Sequence, residues 1–454
     1  LGLSNQGIAS QLALSPKTIE AASRSAFLKL GLVEEQAHEN RRVLAIRRYQ
    51  EMVTTGEQEP FYLDEAGLFA ASLLDRIPHD YDELVTMLEA TADTSEHPWA
   101  TWALAAWSAV IADDLHTAAK CARHAGQRAA LHGPYPSTIV AALEHVIAVA
   151  GANAAIDHEL LDRLAAMIEP AAPAVAGAMV DTMDSILEFA HWMVFCDRPA
   201  DAHRFIARAR RPVGDGLDPT RIHTAAGAEA ELGLRTGDWR KVYELVQPVI
   251  DSSQYGAAYY RSLAARAALL TGDHVRAAEE VRVGSAAATV RNDRTSLRRL
   301  QAAEGTLCLR QGRPADAAAV LRRLRSSLAP AAARLPSFNP WQADLVEALV
   351  ATGAQDEAVA LTAELGAITN ATGSAWTAAL HQRCVGLTAT DANERRAALG
   401  DSADRFAHLR GVYEQAYSLR LLAAELSASG NGEGAGRVDA DAMELFRRSG
   451  CAAP

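Results

Sequence analysis

The sequence predicts an almost all-α protein: a short helix-turn-helix segment followed by a solenoid of αα-hairpins repeating roughly every 40 residues. Three observations carry this. The chain is 49% hydrophobic but only 6% aromatic, and it is rich in alanine, leucine and arginine, all strong helix formers. Glycine and proline occur singly rather than in clusters, so no long disordered linker interrupts the 454 residues. Turn signals recur at an even spacing, the mark of a repeat array.

The first segment, residues 1–33, reads as two short helices. Ser4 caps the first, which holds Ile8, Ala9 and Leu12 on one face. Leu14-Ser15-Pro16 makes the turn, with Ser15 as N-cap and Pro16 at the first helical position. The second helix gathers Ile19, Ala22, Ala26 and Leu30 near one face, leaves Lys17, Thr18, Arg24 and Lys29 outside, and closes at Gly31. Gly2-Leu3-Ser4-Asn5, Ile8-Ala9, Leu14-Ser15, Thr18-Ile19 and Lys29-Leu30-Gly31 resemble the LuxR/GerE helix-turn-helix, spacing included. The resemblance is partial, because the helix that precedes Gly-Leu-Ser in that family is missing from this sequence. It implies that Lys17 and Thr18 face DNA from the first turn of the recognition helix, with Arg24 and Lys29 on backbone phosphates.

Residues 34–58 are expected to form a connector, whose charged helix over 34–52 sets Arg41, Arg42, Arg47 and Arg48 beside Val43, Leu44 and Ile46. A solvated connector is the plain reading; dimerisation with added phosphate contact is the functional one. The charge distribution permits DNA binding. The whole chain has a net charge of −12, yet residues 1–50 hold seven Lys/Arg against four Glu.

Residues 59–454 are expected to be the repeat array. The turns begin at Asp197, Gly237, Gly272, Gly312, Gly353, Thr390 and Gly430, in steps of 40, 35, 40, 41, 37 and 40 residues. Asp113-Asp114 is a weaker, earlier member. Glycine after a helix supplies the left-handed cap, a following Asp caps the next helix, and alanines after the turn let the paired helices approach closely. Each unit accommodates two helices and two short loops. The pattern resembles tetratricopeptide repeats lengthened from their usual size, as in the helical-repeat region of MalT-type and large LuxR-type bacterial regulators. That resemblance is specific for architecture and silent about ligand.

No chemistry of catalysis stands out. Asp113-Asp114 and Asn292-Asp293-Arg294-Thr295-Ser296 begin like the magnesium motifs of terpene cyclases, but Thr117 and Leu300 stand where the further acids are needed. His145, His191 and His203 lack the paired spacing of metal ligands. Neither a GxxxxGK[ST] loop nor a GxSxG elbow occurs. The expectation is a non-enzyme without cofactor or metal. No run of eighteen uncharged apolar residues occurs, so no membrane partner is expected. Five widely separated cysteines fit a reducing cytoplasm. Trp99, Trp102, Trp192 and Tyr259 are the candidates for a ligand- or partner-binding surface, against the plainer reading that aromatics fill gaps between repeats. The function expected is that of a LuxR-family-like transcriptional regulator that binds DNA as a possible homodimer, with the array sensing a peptide, a small molecule or a protein. The alternative is a helical-repeat adaptor that binds protein and not DNA.

Overall fold

The computed structural model describes residues 81–94, 98–132, 134–168, 190–209, 219–252, 257–328, 334–338 and 340–453. The expected helix-turn-helix over 1–33, with Lys17, Thr18, Arg24 and Lys29, and the connector over 34–58 lie outside these residues. Among the described residues there is no strand. The helices are α1 (Tyr81–Thr91), α2 (Pro98–Ile111), α3 (Leu115–Ala129), α4 (Pro134–Ala150), α5 (His158–Ile168), α6 (Pro199–Ala209), α7 (Pro219–Thr236), α8 (Trp239–Ser252) and α9 (Ala257–Thr271). They continue with α10 (His274–Val290), α11 (Arg294–Arg310), α12 (Pro314–Ser327), α13 (Gln342–Ala351), α14 (Gln355–Thr372), α15 (Ala375–Thr388), α16 (Ala392–His408), α17 (Val412–Ala428) and α18 (Gly432–Ser449). A helical segment at 190–195 precedes α6.

The expected turns join the two helices of each hairpin. At each of Asp113, Asp197, Gly237, Gly272, Gly312, Gly353 and Gly430 the backbone enters the left-handed region, with φ between 60° and 103°. The next residue's N–H then closes a bond to a carbonyl five residues back, as from Asp273 to Ala268 and from Arg313 to Cys308, both 2.9 Å. These are Schellman closures, and they satisfy carbonyls that the ending helix leaves open. The following residue caps the second helix in several hairpins: Asp114 accepts from the N–H of His116 and Thr117, Asp273 from Arg276, and Asn431 from Gly434. The residue four places into the second helix is a buried small side chain throughout much of the series, namely Ala118, Ala202, Ala277, Ala317 and Ala358, each 0% exposed. That is where the two helices of a hairpin cross most closely.

Two hairpins approach closer still. A Cβ on Gly305 of α11 would overlap Leu321 of α12, and one on Gly386 of α15 would overlap Leu399 of α16. The glycine is a hole for the leucine of the partner helix.

First and second helices play different parts. The first helices α2 and α4, α7 and α9, α9 and α11, α11 and α13, and α13 and α15 also pack on one another from hairpin to hairpin. They are therefore buried on most of their circumference, as α9 is at Ala258, Tyr260, Ser262, Leu263, Ala264, Ala265, Ala267, Ala268 and Leu269. The second helices bury one stripe, exemplified by Ala277, Val281, Gly284 and Ala288 of α10, and turn the other side to water. Closer spacing of the first helices puts them on the inside of the curve.

The curve closes on itself. The main chain and side chains of one superhelical turn bond to those of the next, at sequence separations of 177 to 185 residues. Thr295 donates to the Val110 carbonyl at 2.9 Å and Arg294 to the Ala112 carbonyl at 2.9 Å. The N–H groups of Arg334 and Leu335 reach the Ala150 carbonyl, and that of Ala452 the Leu270 carbonyl. Asp197 accepts from the Ser374 hydroxyl at 2.9 Å and from the Trp376 N–H at 3.2 Å, capping α15 from the other turn. Carbonyls at the ends of first helices, which lack intrahelical donors, thus find donors on the next turn. Arg298 and Asp113, both with side chains 5% exposed, add a buried ion pair across the same seam. The apolar core follows the seam too. Tyr413, Ala416, Tyr417 and Phe446 of the last hairpin pack with Leu234, Trp239, Val246 and Leu263 of α7 to α9.

Candidate functional site

The first helices bring to the inside of the curve a set of charged and phenolic side chains that their local sequence does not announce. They form two adjoining groups.

In the first, Glu231 of α7 pairs with Arg299 of α11, each side chain 2% exposed. The Tyr259 hydroxyl of α9 donates to Glu231 at 3.1 Å, and the Arg299 guanidinium lies 5.2 Å from the Tyr259 ring centre. His191 meets the same ring edge-on at 6.1 Å, and Gly227 gives its imidazole room, since a Cβ there would lie 3.0 Å from Nε2. Arg235 pairs with Asp197 at 3.3 Å and stacks 4.6 Å over Trp376. Burial opposes the ionised form of Glu231, but Arg299 and Arg266 outweigh it and hold the carboxyl below its usual range. Burial pushes the Tyr259 phenol well above its ordinary value, so it stays a donor.

In the second group, Arg310 of α11 donates to the Tyr417 hydroxyl of α17 at 2.8 Å, and that hydroxyl donates to Glu347 of α13 at 2.5 Å. The Arg310 guanidinium also sits 4.2 Å over the Tyr417 ring, which stacks on Tyr413 with centroids 6.0 Å apart. Arg383 of α15 pairs with Glu414 at 2.7 Å and donates to the Ser418 hydroxyl at 3.1 Å. Asp344 accepts from Thr306, yet burial raises its carboxyl to about 6 in spite of Arg310. Arg235, Tyr259, Arg266, Arg310, Asp344, Glu347, Glu414 and Arg383 come from six helices. Apart from the fully buried Arg383, each keeps partial exposure although protein surrounds it. An interior face that water still reaches has this property; a sealed core does not. Such a face presents guanidinium, carboxylate and phenol groups alternately, the donors and acceptors that read a peptide main chain and its termini.

The four aromatic candidates fall differently. Trp99 of α2 is partly exposed. Trp102 is 6% exposed, its indole N–H donates to Asp93 at 3.0 Å, and it stacks on His124 at 4.6 Å. Trp192 is 4% exposed and packs 5.8 Å from Trp107. Tyr259 belongs to the first polar group. The adjacent His191 links Trp192 to Tyr259, while Trp102 is engaged elsewhere. The Arg and Glu side chains were not among the candidates, because charges on a helix read as a solvated face. The available signal was their place on first helices whose other positions are small or apolar.

The motifs weighed for magnesium are structural. Asp113 turns the chain in the left-handed region and pairs with Arg298, and Asp114 is an N-cap. Asn292 turns the chain at φ 51°, and Asp293 caps α11 through the Ser296 N–H at 2.9 Å. Among the described residues no group of three or more His, Cys, Asp or Glu could hold a metal ion. Burial pushes the Cys121, Cys196 and Cys384 thiols up to about 12, far from thiolate. No helix among the described residues is long and apolar enough to cross a membrane.

Fold and interior face define a helical-repeat protein of the hairpin-solenoid class, with tetratricopeptide-like units. No family model and no curated protein matches the chain. Among solved structures it is similar to a Rap protein crystallised in complex with competence and sporulation factor. The TM-score is 0.55 at 9% identity, over 80% of this chain and 99% of that one.

Proposed function

We propose that this protein binds a peptide, free or as an extended segment of a protein partner, on the inner face of its hairpin array. The observation that carries the reading is the cluster of enclosed but water-accessible charged side chains contributed by α7, α9, α11, α13 and α17. Buried charge is costly and adds little to stability, so a fold that concentrates it on one concave face has another use for it. The similar Rap structure, a complex with a factor, supports the same reading. The role is that of a binding protein rather than a catalyst, and a cytoplasmic setting belongs to the same proposal.

Isothermal titration of the full chain with fractionated pools of short peptides tests the reading. Saturable binding that is lost in Arg299→Met/Tyr259→Phe supports it. Absence of binding to every pool, with the protein folded by circular dichroism, removes it.

A second reading keeps the array as the sensor of a DNA-binding regulator that acts as a homodimer. The residues that favour it are Lys17, Thr18, Arg24 and Lys29 in their LuxR/GerE-like setting. Fluorescence anisotropy with random-sequence duplex DNA at several salt concentrations decides it. Binding that weakens steeply with salt and falls in Lys17→Ala/Arg24→Ala supports a DNA reader. No binding at low salt leaves the array as an adaptor.

A further inference from the structure

Three carboxylates of the inner face are each held by an arginine. Asp197 is taken by Arg235, Glu231 by Arg299 and Glu414 by Arg383. Arg266 of α9 faces the same groups, since Glu231, Arg299, Glu414 and Arg235 all act on it electrostatically. Yet it has no hydrogen bond and no ion pair among the described residues, while Glu231 and Glu414 each already hold another arginine. Burial, only partly offset by Glu231, pulls its guanidinium below the usual value. It nevertheless keeps partial exposure, and its guanidinium carries five N–H donors. Tyr259 lies seven residues earlier on α9, two helical turns along the same face. An anchor for a charged group thus sits beside an aromatic one, within the span of a short peptide.

We propose that Arg266 is the receptor for an oxyanion of the ligand, most simply the terminal carboxylate of a short peptide, which its planar fork binds in bidentate fashion. This rests on the peptide-binding reading and adds the ligand's polarity to it. The unpaired cation is stabilised only when the ligand arrives, so free protein carries the strain and bound protein does not. A phosphate group offers the same acceptor geometry, and the test separates the two sources.

The full chain is titrated with a pool of random hexapeptides bearing free C-terminal carboxylates, with the same pool amidated at the C-terminus, and with inorganic phosphate. Each is measured against wild type and Arg266→Met, which keeps bulk and removes charge. The expected result is at least tenfold weaker binding of the amidated pool to wild type, and loss of that discrimination in the variant. Binding of phosphate alone, abolished by Arg266→Met, keeps the oxyanion receptor but assigns it a phosphorylated ligand and removes the peptide reading. Equal binding of free and amidated pools overturns the receptor and leaves peptide binding standing. Failure of all three probes to bind overturns both. Without ligand, the variant is expected to melt higher than wild type. A lower melting temperature marks Arg266 as a packing residue and also overturns the proposal.

Discussion

At the scale of single residues, what distinguishes this protein is ionisable groups held in a helical interior. Asp344 shows how such a group loads the fold. Burial raises its carboxyl from 3.8 to about 6, so the folded state binds a proton more tightly than the unfolded chain does. The associated stability is full below the unfolded value and is lost as pH rises through about 6. At pH 7.5 the carboxylate is ionised at a cost that an amide avoids, while the amide oxygen still accepts from Thr306. Asp344→Asn is therefore expected to stabilise by on the order of 1–3 kcal/mol at pH 7.5, an advantage that shrinks to zero below about pH 3. Thermal melts of both proteins across that range check it, and an advantage that grows on acidification would contradict the assignment.

At the scale of helices and hairpins, two glycines with the same propensity are expected to respond in opposite senses. On Gly305 of α11 a methyl group meets Leu321 of the partner helix, and overpacking of this kind costs about 1–3 kcal/mol, more than the gain in helix propensity. On Gly400 of α16 nothing lies within 4 Å, so the same change gains about 0.5–1 kcal/mol. Denaturant melts of Gly305→Ala and Gly400→Ala are expected to shift in opposite directions from wild type. A parallel shift would mean that the helix crossings are looser than the geometry indicates.

At the scale of the whole array, stability depends on contacts between superhelical turns as well as between neighbouring hairpins. A solenoid with nearest-neighbour contacts alone unravels from its ends. Here Asp197 joins Arg235, Ser374 and Trp376, which come from hairpins 177 to 179 residues apart on one side and 38 on the other. Asp197→Ala takes an acceptor from the start of α15, where Ser374 remains the N-cap, and leaves Arg235 without its carboxylate, a loss of about 3 kcal/mol. Hydrogen exchange is expected to rise at 190–209 and 374–388 together, with Asp197→Asn milder because it keeps the left-handed turn and an acceptor. Faster exchange confined to 190–209 would argue that the seam contributes little.

The sequence by itself determined the helices, the hairpins and their period. The reason is that the signals involved are local: a left-handed residue at Gly237, Gly272 or Gly312, a capping Asp273 or Asn431, and a small Ala277 or Ala317 four places into the next helix. Each acts within a few residues of its place in the chain, so spacing alone exposes it. The left-handed turns at Asn292 and Arg410, which join one hairpin to the next, lack glycine and escaped that reading. Only the tertiary structure decided how the superhelix closes and what it encloses. Arg310 meets Tyr417 107 residues on, and Arg299 meets Glu231 68 residues back. The rotation from one hairpin to the next fixes such pairs, and it accumulates from many small packing choices that no local motif records. A charged side chain on a first helix reads as surface until the superhelical turn brings it inside.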